Sequence, residues 1–271
     1  MMIEGNLVRK ISVQNFKGGV GKTATVLNLG ACLADRGYKV LMIDCDTQGD
    51  LTEVSGIRLE KRQPTLYHVL IEDLNVMEVI VQVRDRLFIL PSDKKLAAAE
   101  ALLVAMTARE TTLSQRLSYL TEFDFVLLDC APAMNLMHQN ALLYASELII
   151  PVDMDKLAIS GCRAILESVK TLGEYNNFRI PELTGIIPTF VDQRTNITSQ
   201  VMGVLETLYP GKILPSIRSD TKLKQAAATS RSIFDFDPKS KSAHDYRCVA
   251  DAIIQLTEKR TYEQAAAINA G

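Results

Sequence analysis

The segment Asn15-Phe16-Lys17-Gly18-Gly19-Val20-Gly21-Lys22-Thr23 constrains the fold more than any other part of this 271-residue chain. It follows an apolar run over 10–15 that reads as a buried strand, and it opens a helical pattern over 22–36. Glycines in this order let the backbone curl so that successive N–H groups face phosphate oxygens, and the helix N-terminus adds its positive dipole. Lys22 supplies a point charge for β- and γ-phosphates, the Thr23 hydroxyl is placed to bind Mg²⁺, and Ala24 continues the helix start. A glycine-rich turn that merely caps a helix has no need of strand, glycines, lysine, hydroxyl and helix all in order. The first glycine of the usual G-x-x-x-x-G-K-[ST] pattern falls at Phe16, which is not glycine. Lys17 is therefore an extra cation close to Lys22, and two like charges repel unless an anion separates them. It is either a solvated lysine or a phosphate contact, including one to nucleotide on a second subunit.

The rest of the chain alternates short apolar runs with helical stripes. Strands are expected at 40–44, 87–90, 123–129, 148–152, 183–188 and 213–214, and helices at 65–71, 96–107, 111–120, 135–145, 159–175, 197–208 and 242–257. Continuous apolar strands alternating with helices predict an α/β fold, a single doubly wound, mainly parallel sheet in one domain over 1–271. Stretches 52–63 and 235–242 read as surface loops.

Composition narrows the function classes. Five scattered cysteines, with no C-x-x-C pair and no even framework, read as small buried hydrophobes of a reducing, cytoplasmic compartment. Three isolated histidines offer no metal-ligand spacing. No segment approaches the run of roughly 20 apolar residues that a membrane helix needs. The net charge of −2 makes the whole chain no polyanion binder, so any nucleic-acid surface is local. From Lys212 to Arg247, eight lysines and arginines face four acids. Taken alone this is a solvated basic face.

Carboxylates mark two strand ends. Asp44 and Asp46 close the second strand, at the edge where ligands bind in α/β sheets, and the period of two places them on one face. One suits support of Mg²⁺ hydration or of the loop, the other orientation of an attacking water. Phe123-Asp124-Phe125-Val126-Leu127-Leu128-Asp129 is an apolar strand ending in an acid, which suits Mg²⁺ held through a coordinated water.

The loop K-G-G-V-G-K-T resembles the deviant Walker A motif of the ParA/MinD ATPases. That resemblance implies ATP and Mg²⁺ as cofactors, nucleotide contacts from Lys17, Gly18, Gly19, Val20, Gly21, Lys22, Thr23 and Ala24, and a homodimer in the ATP state. In such a dimer Lys17 is the trans lysine and Lys22 the cis lysine. Ile43-Asp44-Cys45-Asp46-Thr47-Gln48-Gly49-Asp50 resembles the family's D-x-D-P-Q-G-N switch, with Thr47 for proline and Asp50 for asparagine. By that match Asp46 positions water, Asp44 is a supporting acid and Gln48 belongs to the moving loop. Asp129-Cys130-Ala131-Pro132-Ala133 is similar to the family's D-C-P-P-S.

Within the family the chain is most similar to chromosomal Soj and short plasmid ParA proteins, through Thr65-Leu66-Tyr67-His68-Val69-Leu70, Asp192-Gln193-Arg194-Thr195-Asn196 and Ser232-Ile233-Phe234-Asp235. About ten residues precede the first strand, leaving no N-terminal helix-turn-helix. The resemblance implies non-specific duplex DNA binding through Arg194 and Lys222, nucleoid association, and a ParB-like or other cargo adaptor as partner. A membrane-cycling regulator resembling MinD would need a basic, bulky-apolar C-terminus, which 262–271 lacks. An iron–sulfur carrier would need paired cysteines, and a small-molecule ligase would be expected to lack Lys17.

Overall fold

The computed structural model describes residues 8–176, 179–192 and 195–269, and the side chains of 8–174, 179–192 and 195–256. Seven strands form one sheet: β1 (Arg9–Val13), β2 (Val40–Cys45), β3 (Val81–Arg84), β4 (Leu87–Leu90), β5 (Phe125–Cys130), β6 (Glu147–Asp153) and β7 (Glu182–Thr189). Their order is β3-β4-β2-β5-β1-β6-β7, with every pairing parallel except β3 with β4. This is the doubly wound sheet that the strand–helix alternation predicts.

Alternation along the strands builds two cores. Val40 and Met42 of β2 and Phe125 and Leu127 of β5 face one layer, while Leu41, Ile43, Val126 and Leu128 face the other. The first layer holds α1 (Lys22–Asp35), α2 (Asp50–Val54), α9 (Thr221–Ala228), α10 (Ile233–Phe236) and α11 (Lys241–Asn269). The second holds α3 (Leu66–Ile71), α4 (Leu96–Leu103), α5 (Thr112–Arg116) and α6 (Leu136–Tyr144), with α7 (Ala158–Asn176) and α8 (Asn196–Leu208) beside β6 and β7. Asn28 of α1 accepts the Ile233 N–H at 2.7 Å, which ties α10 to the helix that opens at Lys22. The stripe of Tyr246, Val249 and Ile253 is buried against α1, with Leu256 packed on it, so it is core.

Several elements depart from the sequence expectation. β3 is an antiparallel edge strand whose half-polar V-Q-V-R gives no apolar run. The expected strand at 213–214 is a single bridge, Ile186 to Ile213. Helices α4 and α5 are shorter than predicted, and α2, α9 and α10 lie where the apolar pattern predicts no helix. The stretch 52–63 is not all surface loop, because Thr52 lies in α2 at 3% exposure. In 235–242, Ser240 and Ser242 are likewise buried. Cys32, Cys45, Cys130 and Cys162 are free and buried; Cys248 is only partly so.

A buried ion pair locks β1 to β6. The Arg9 guanidinium donates to Glu147 at 2.7 and 2.5 Å and to the Ile253 carbonyl at 2.7 Å, and Thr184 donates to Glu147 at 2.7 Å. Glu147→Ala leaves that guanidinium buried without its carboxylate, so it should cost about 3–5 kcal/mol in urea unfolding. A loss below about 1 kcal/mol would show that the pair is dispensable.

Candidate functional site

The C-terminal ends of β1, β2, β5 and β6 meet at one edge, and β1 lies between β5 and β6 where the connections diverge to the two faces. The phosphate loop leaves β1 at this point. Asn15 shapes its entry: Oδ1 accepts the Lys17 N–H at 2.9 Å and Nδ2 donates to the Pro151 carbonyl at 2.7 Å. Gly19 and Gly21 sit at φ 74° and 87°, which glycine adopts without a Cβ clash, and Gly21 caps α1.

The loop is also gripped from β7. Thr189 donates to the Val20 carbonyl at 2.9 Å, and a Cβ on Gly21 would meet the Phe190 ring at 3.2 Å. Phe190 itself sits at φ 52°, a conformation that a bulky residue keeps only when its surroundings impose it. Neither residue carries a sequence signal, since Thr189 lies 169 positions from the residue it holds.

Lys22 is buried, at 7% exposure, and its Nζ lies 3.4 Å from the Lys17 carbonyl oxygen. Burial pulls its pKa down, and the carboxylates of Asp129 and Asp46 oppose that shift. The Lys17 amino group lies elsewhere, 3.2 Å from Asp153 and 2.6 Å from Asp155 beyond β6. Its pKa is raised, chiefly by the Asp155 hydrogen bond. Asp153 and Asp155 take up Lys17 and so hold the two amino groups apart.

Asp44 and Asp129 are register partners on β2 and β5, on the α1 face of the sheet. Asp44 is wholly buried, and its Oδ2 accepts from the Thr52 N–H at 2.8 Å and the Thr52 hydroxyl at 2.6 Å. Its Oδ1 accepts the Asp46 N–H at 3.2 Å, so the carboxyl braces the loop after β2. Burial pushes its pKa up to about 6 against those donors. Asp46 lies one residue past the strand, partly exposed, with Oδ1 accepting the Gln48 N–H at 2.9 Å and its carbonyl held by the Ser92 hydroxyl at 3.0 Å. A Cβ on Gly49 would meet the Ser92 carbonyl at 3.1 Å, so the loop is packed tightly against the chain after β4.

Asp129 is buried, with Oδ1 lacking any hydrogen-bond partner. Burial and the neighbouring Asp44 push its pKa up to about 8, while the Thr23 hydroxyl and Lys22 oppose the shift. An orphaned carboxylate oxygen beside a hydroxyl at a helix start is donor chemistry for a hard divalent cation. His138 is buried with both ring nitrogens unpartnered and its ring 5.1 Å from that of Phe16; burial, then Lys22, pull its pKa down to about 4.

The sequence profile of the family described as "AAA domain" matches residues 8–181. The sporulation initiation inhibitor protein Soj of Bacillus subtilis is 32% identical over 90% of this chain and 97% of its own length. The chain belongs to the ParA/MinD superfamily of P-loop ATPases. The chromosome partitioning protein ParA of Caulobacter vibrioides is 28% identical over 97% of this chain and all of its own. Among solved structures, cobyrinic acid a,c-diamide synthase from Mycobacterium smegmatis with a bound ATP analogue and magnesium superposes with a TM-score of 0.79. It is 30% identical and covers 92% of this chain and 95% of its own.

In this ParA/MinD-type chain the structure brings Lys22, Thr23, Asp44, Asp46 and Asp129 to one sheet edge, with Gly18, Gly19, Val20 and Gly21 forming the loop and Ala24 following in α1. The expected DNA residues lie apart from them. Arg194 is outside the described residues. Lys222 is half exposed, 3.7 Å from Asp237 and over the Phe236 ring at 5.9 Å. Its charge is already partly matched.

Proposed function

We propose that this ATPase dimerises on binding ATP and Mg²⁺, coats duplex DNA without sequence preference, and positions or partitions a cargo. The cargo is a plasmid, a chromosome origin or a protein body, and a cargo-bound adaptor of the ParB-like kind stimulates hydrolysis. The single observation that carries this reading is the placement of Lys17. Its amino group is turned out of its own phosphate loop toward Asp153 and Asp155, and it stays one-third exposed, while Lys22 alone serves the loop from within. A cation held at the rim of its own site by two part-exposed carboxylates can exchange them for a second subunit's phosphates. The surplus of lysines and arginines over 212–247, and the similarity to the Soj and ParA relatives, support the DNA and partition part of the reading.

In this reading each residue takes a role that its position supports. Loop N–H groups, Lys22 and Lys17 neutralise phosphate charge, the term that dominates phosphoryl transfer. Thr23 would hold Mg²⁺ directly and Asp129 through a coordinated water, and the bound ion would withdraw charge from the phosphate oxygens. Asp46, at a partly exposed turn pinned by Ser92, orients the attacking water, while Asp44 fixes that turn through Thr52 and the Asp46 N–H.

Lys17→Ala tests the dimer directly. It should retain ATP binding and lose the ATP-dependent rise in light scattering. A variant that dimerises as wild type does would remove the trans role of Lys17 and with it the main support for this reading.

A further inference from the structure

We infer that the connection from α2 to α3 is a second DNA-contacting arm, with Arg58, Lys61 and Arg62 joining Lys224 and Arg231 in one phosphate-binding surface. This rests on the reading of the chain as a duplex-DNA binder and moves the centre of that surface away from Lys222.

Two distant segments meet here. Gly56, at φ 80°, approaches the turn after α9 so closely that a Cβ on it would lie 3.2 Å from the Ser230 carbonyl. Ile57 packs on the core that holds Leu223, Ile233 and Phe234, which fixes the start of the arm against α9 and α10. Arg58 follows two residues after Gly56, and Arg231 one residue after Ser230. With consecutive Cα atoms about 3.8 Å apart, Arg58 and Arg231 lie within roughly 20 Å of each other, a span of a few phosphates.

Ion pairing separates these groups from Lys212, Arg218 and Lys222. Arg218 is matched by Asp245 at 2.6 Å, Lys212 by Glu182 at 3.3 Å and Lys222 by Asp237 at 3.7 Å. Arg58, Lys61, Arg62, Lys224 and Arg231 are exposed and have no ion-pair partner among the described residues. Glu60 is the one acid within 56–63, and nearby Asp235 is paired with Arg84 at 3.1 Å. Unpaired cations have no carboxylate to give up when they engage phosphate, and each phosphate they neutralise releases counterions from the duplex.

The same surface lacks what a lipid headgroup layer requires. Among the described residues the large exposed hydrophobics lie at positions such as Leu102, Met134, Leu157 and Val204, and none falls in 56–63 or 221–241. A membrane-surface element needs bulky apolar side chains to insert beside its cations. The arm also hangs from α2, whose Thr52 clamps Asp44, so it is joined directly to the loop that carries Asp46.

The test compares wild type, Arg58→Ala/Lys61→Ala/Arg62→Ala and Lys224→Ala/Arg231→Ala in filter binding of two unrelated duplexes over a salt series with ATP. The slope of log K against log salt should fall by about 0.9 for each phosphate no longer neutralised, hence by up to about 3 per protomer for the triple variant. The weakening should be equal on both duplexes, and hydrolysis without DNA should stay at the wild-type level, which also reports folding. Restoring charge with Arg58→Lys/Arg62→Lys should leave the slope near wild type. Wild-type slopes in the triple variant would overturn the inference, as would loss of binding to vesicles rich in phosphatidylglycerol with DNA binding intact. If wild type itself binds no duplex with ATP, the reading beneath it falls, and this inference falls with it.

Discussion

Lys22→Ala should lower ATP affinity by at least about 100-fold, the loss expected when a charge-assisted contact worth roughly 3 kcal/mol disappears. The variant should stay folded. Burial already disfavours the Lys22 cation, and Asp129, the carboxylate that most opposes that shift, is itself pushed toward the neutral form by burial. Removing the ammonium therefore relieves one buried charge and leaves Asp129 able to take up a proton. Thr23→Ala should retain part of the affinity without Mg²⁺ and lose the enhancement that Mg²⁺ brings, since the Thr23 hydroxyl is the neighbour of the orphaned Asp129 oxygen. Titration calorimetry with and without Mg²⁺, alongside circular dichroism, measures both. Undiminished ATP binding in both variants would contradict the phosphate-loop assignment.

Asp46→Asn should bind ATP within a few-fold of wild type and hydrolyse it about 100-fold or more slowly, the usual scale for a lost acid–base or water-orienting group. Asparagine is the sharper substitution because its Oδ1 can still accept the Gln48 N–H that shapes the turn at 2.9 Å. The Ser92 bond to the Asp46 carbonyl is also untouched. What disappears is the negative charge. Asp46→Ala should show the same arrest, so agreement between the two variants separates the loss of charge from collapse of the loop. Both should accumulate as the ATP-bound dimer, visible in light scattering. Single-turnover hydrolysis at the wild-type rate in Asp46→Asn would mean that another group positions the water.

Much of this site is legible in sequence because its chemistry is contiguous: the loop 15–23, the pair Asp44 and Asp46, and Asp129 each stand at the end of an apolar run. The supports are not contiguous, and that is why they escape. Asp153 and Asp155 reach Lys17 across 136 and 138 positions, and Thr189 reaches Val20 across 169. A threonine at a strand end is an ordinary β-former, and Phe190 in a left-handed turn looks like any core aromatic. Thr52 stands in a polar stretch that reads as loop, although its hydroxyl and N–H hold Asp44.

The fold shows the same division. Buried parallel strands such as β2 and β5 announce themselves as continuous apolar runs, whereas β3 is an edge with one half-polar face, and α9 offers only Leu223 and Ala226 to its core. The Asp220 side chain caps α9 by accepting the Lys222 N–H at 2.9 Å, a local signal that outweighs the weak apolar stripe. The basic third illustrates a further limit. Its sequence surplus of cations says nothing about pairing, and the structure reveals that Arg218, Lys212 and Lys222 face acids while Lys224 and Arg231 have no such partner among the described residues.

The most direct test of a nucleotide-switched DNA-binding ATPase is co-sedimentation of the wild-type chain with random-sequence duplex in ATP, in ADP and without nucleotide. The account predicts that the protein pellets with DNA in ATP, remains in the supernatant in the other two conditions, and stays in the supernatant in ATP when Lys17 is alanine. Equal binding in all three nucleotide states, or none in ATP, would contradict it.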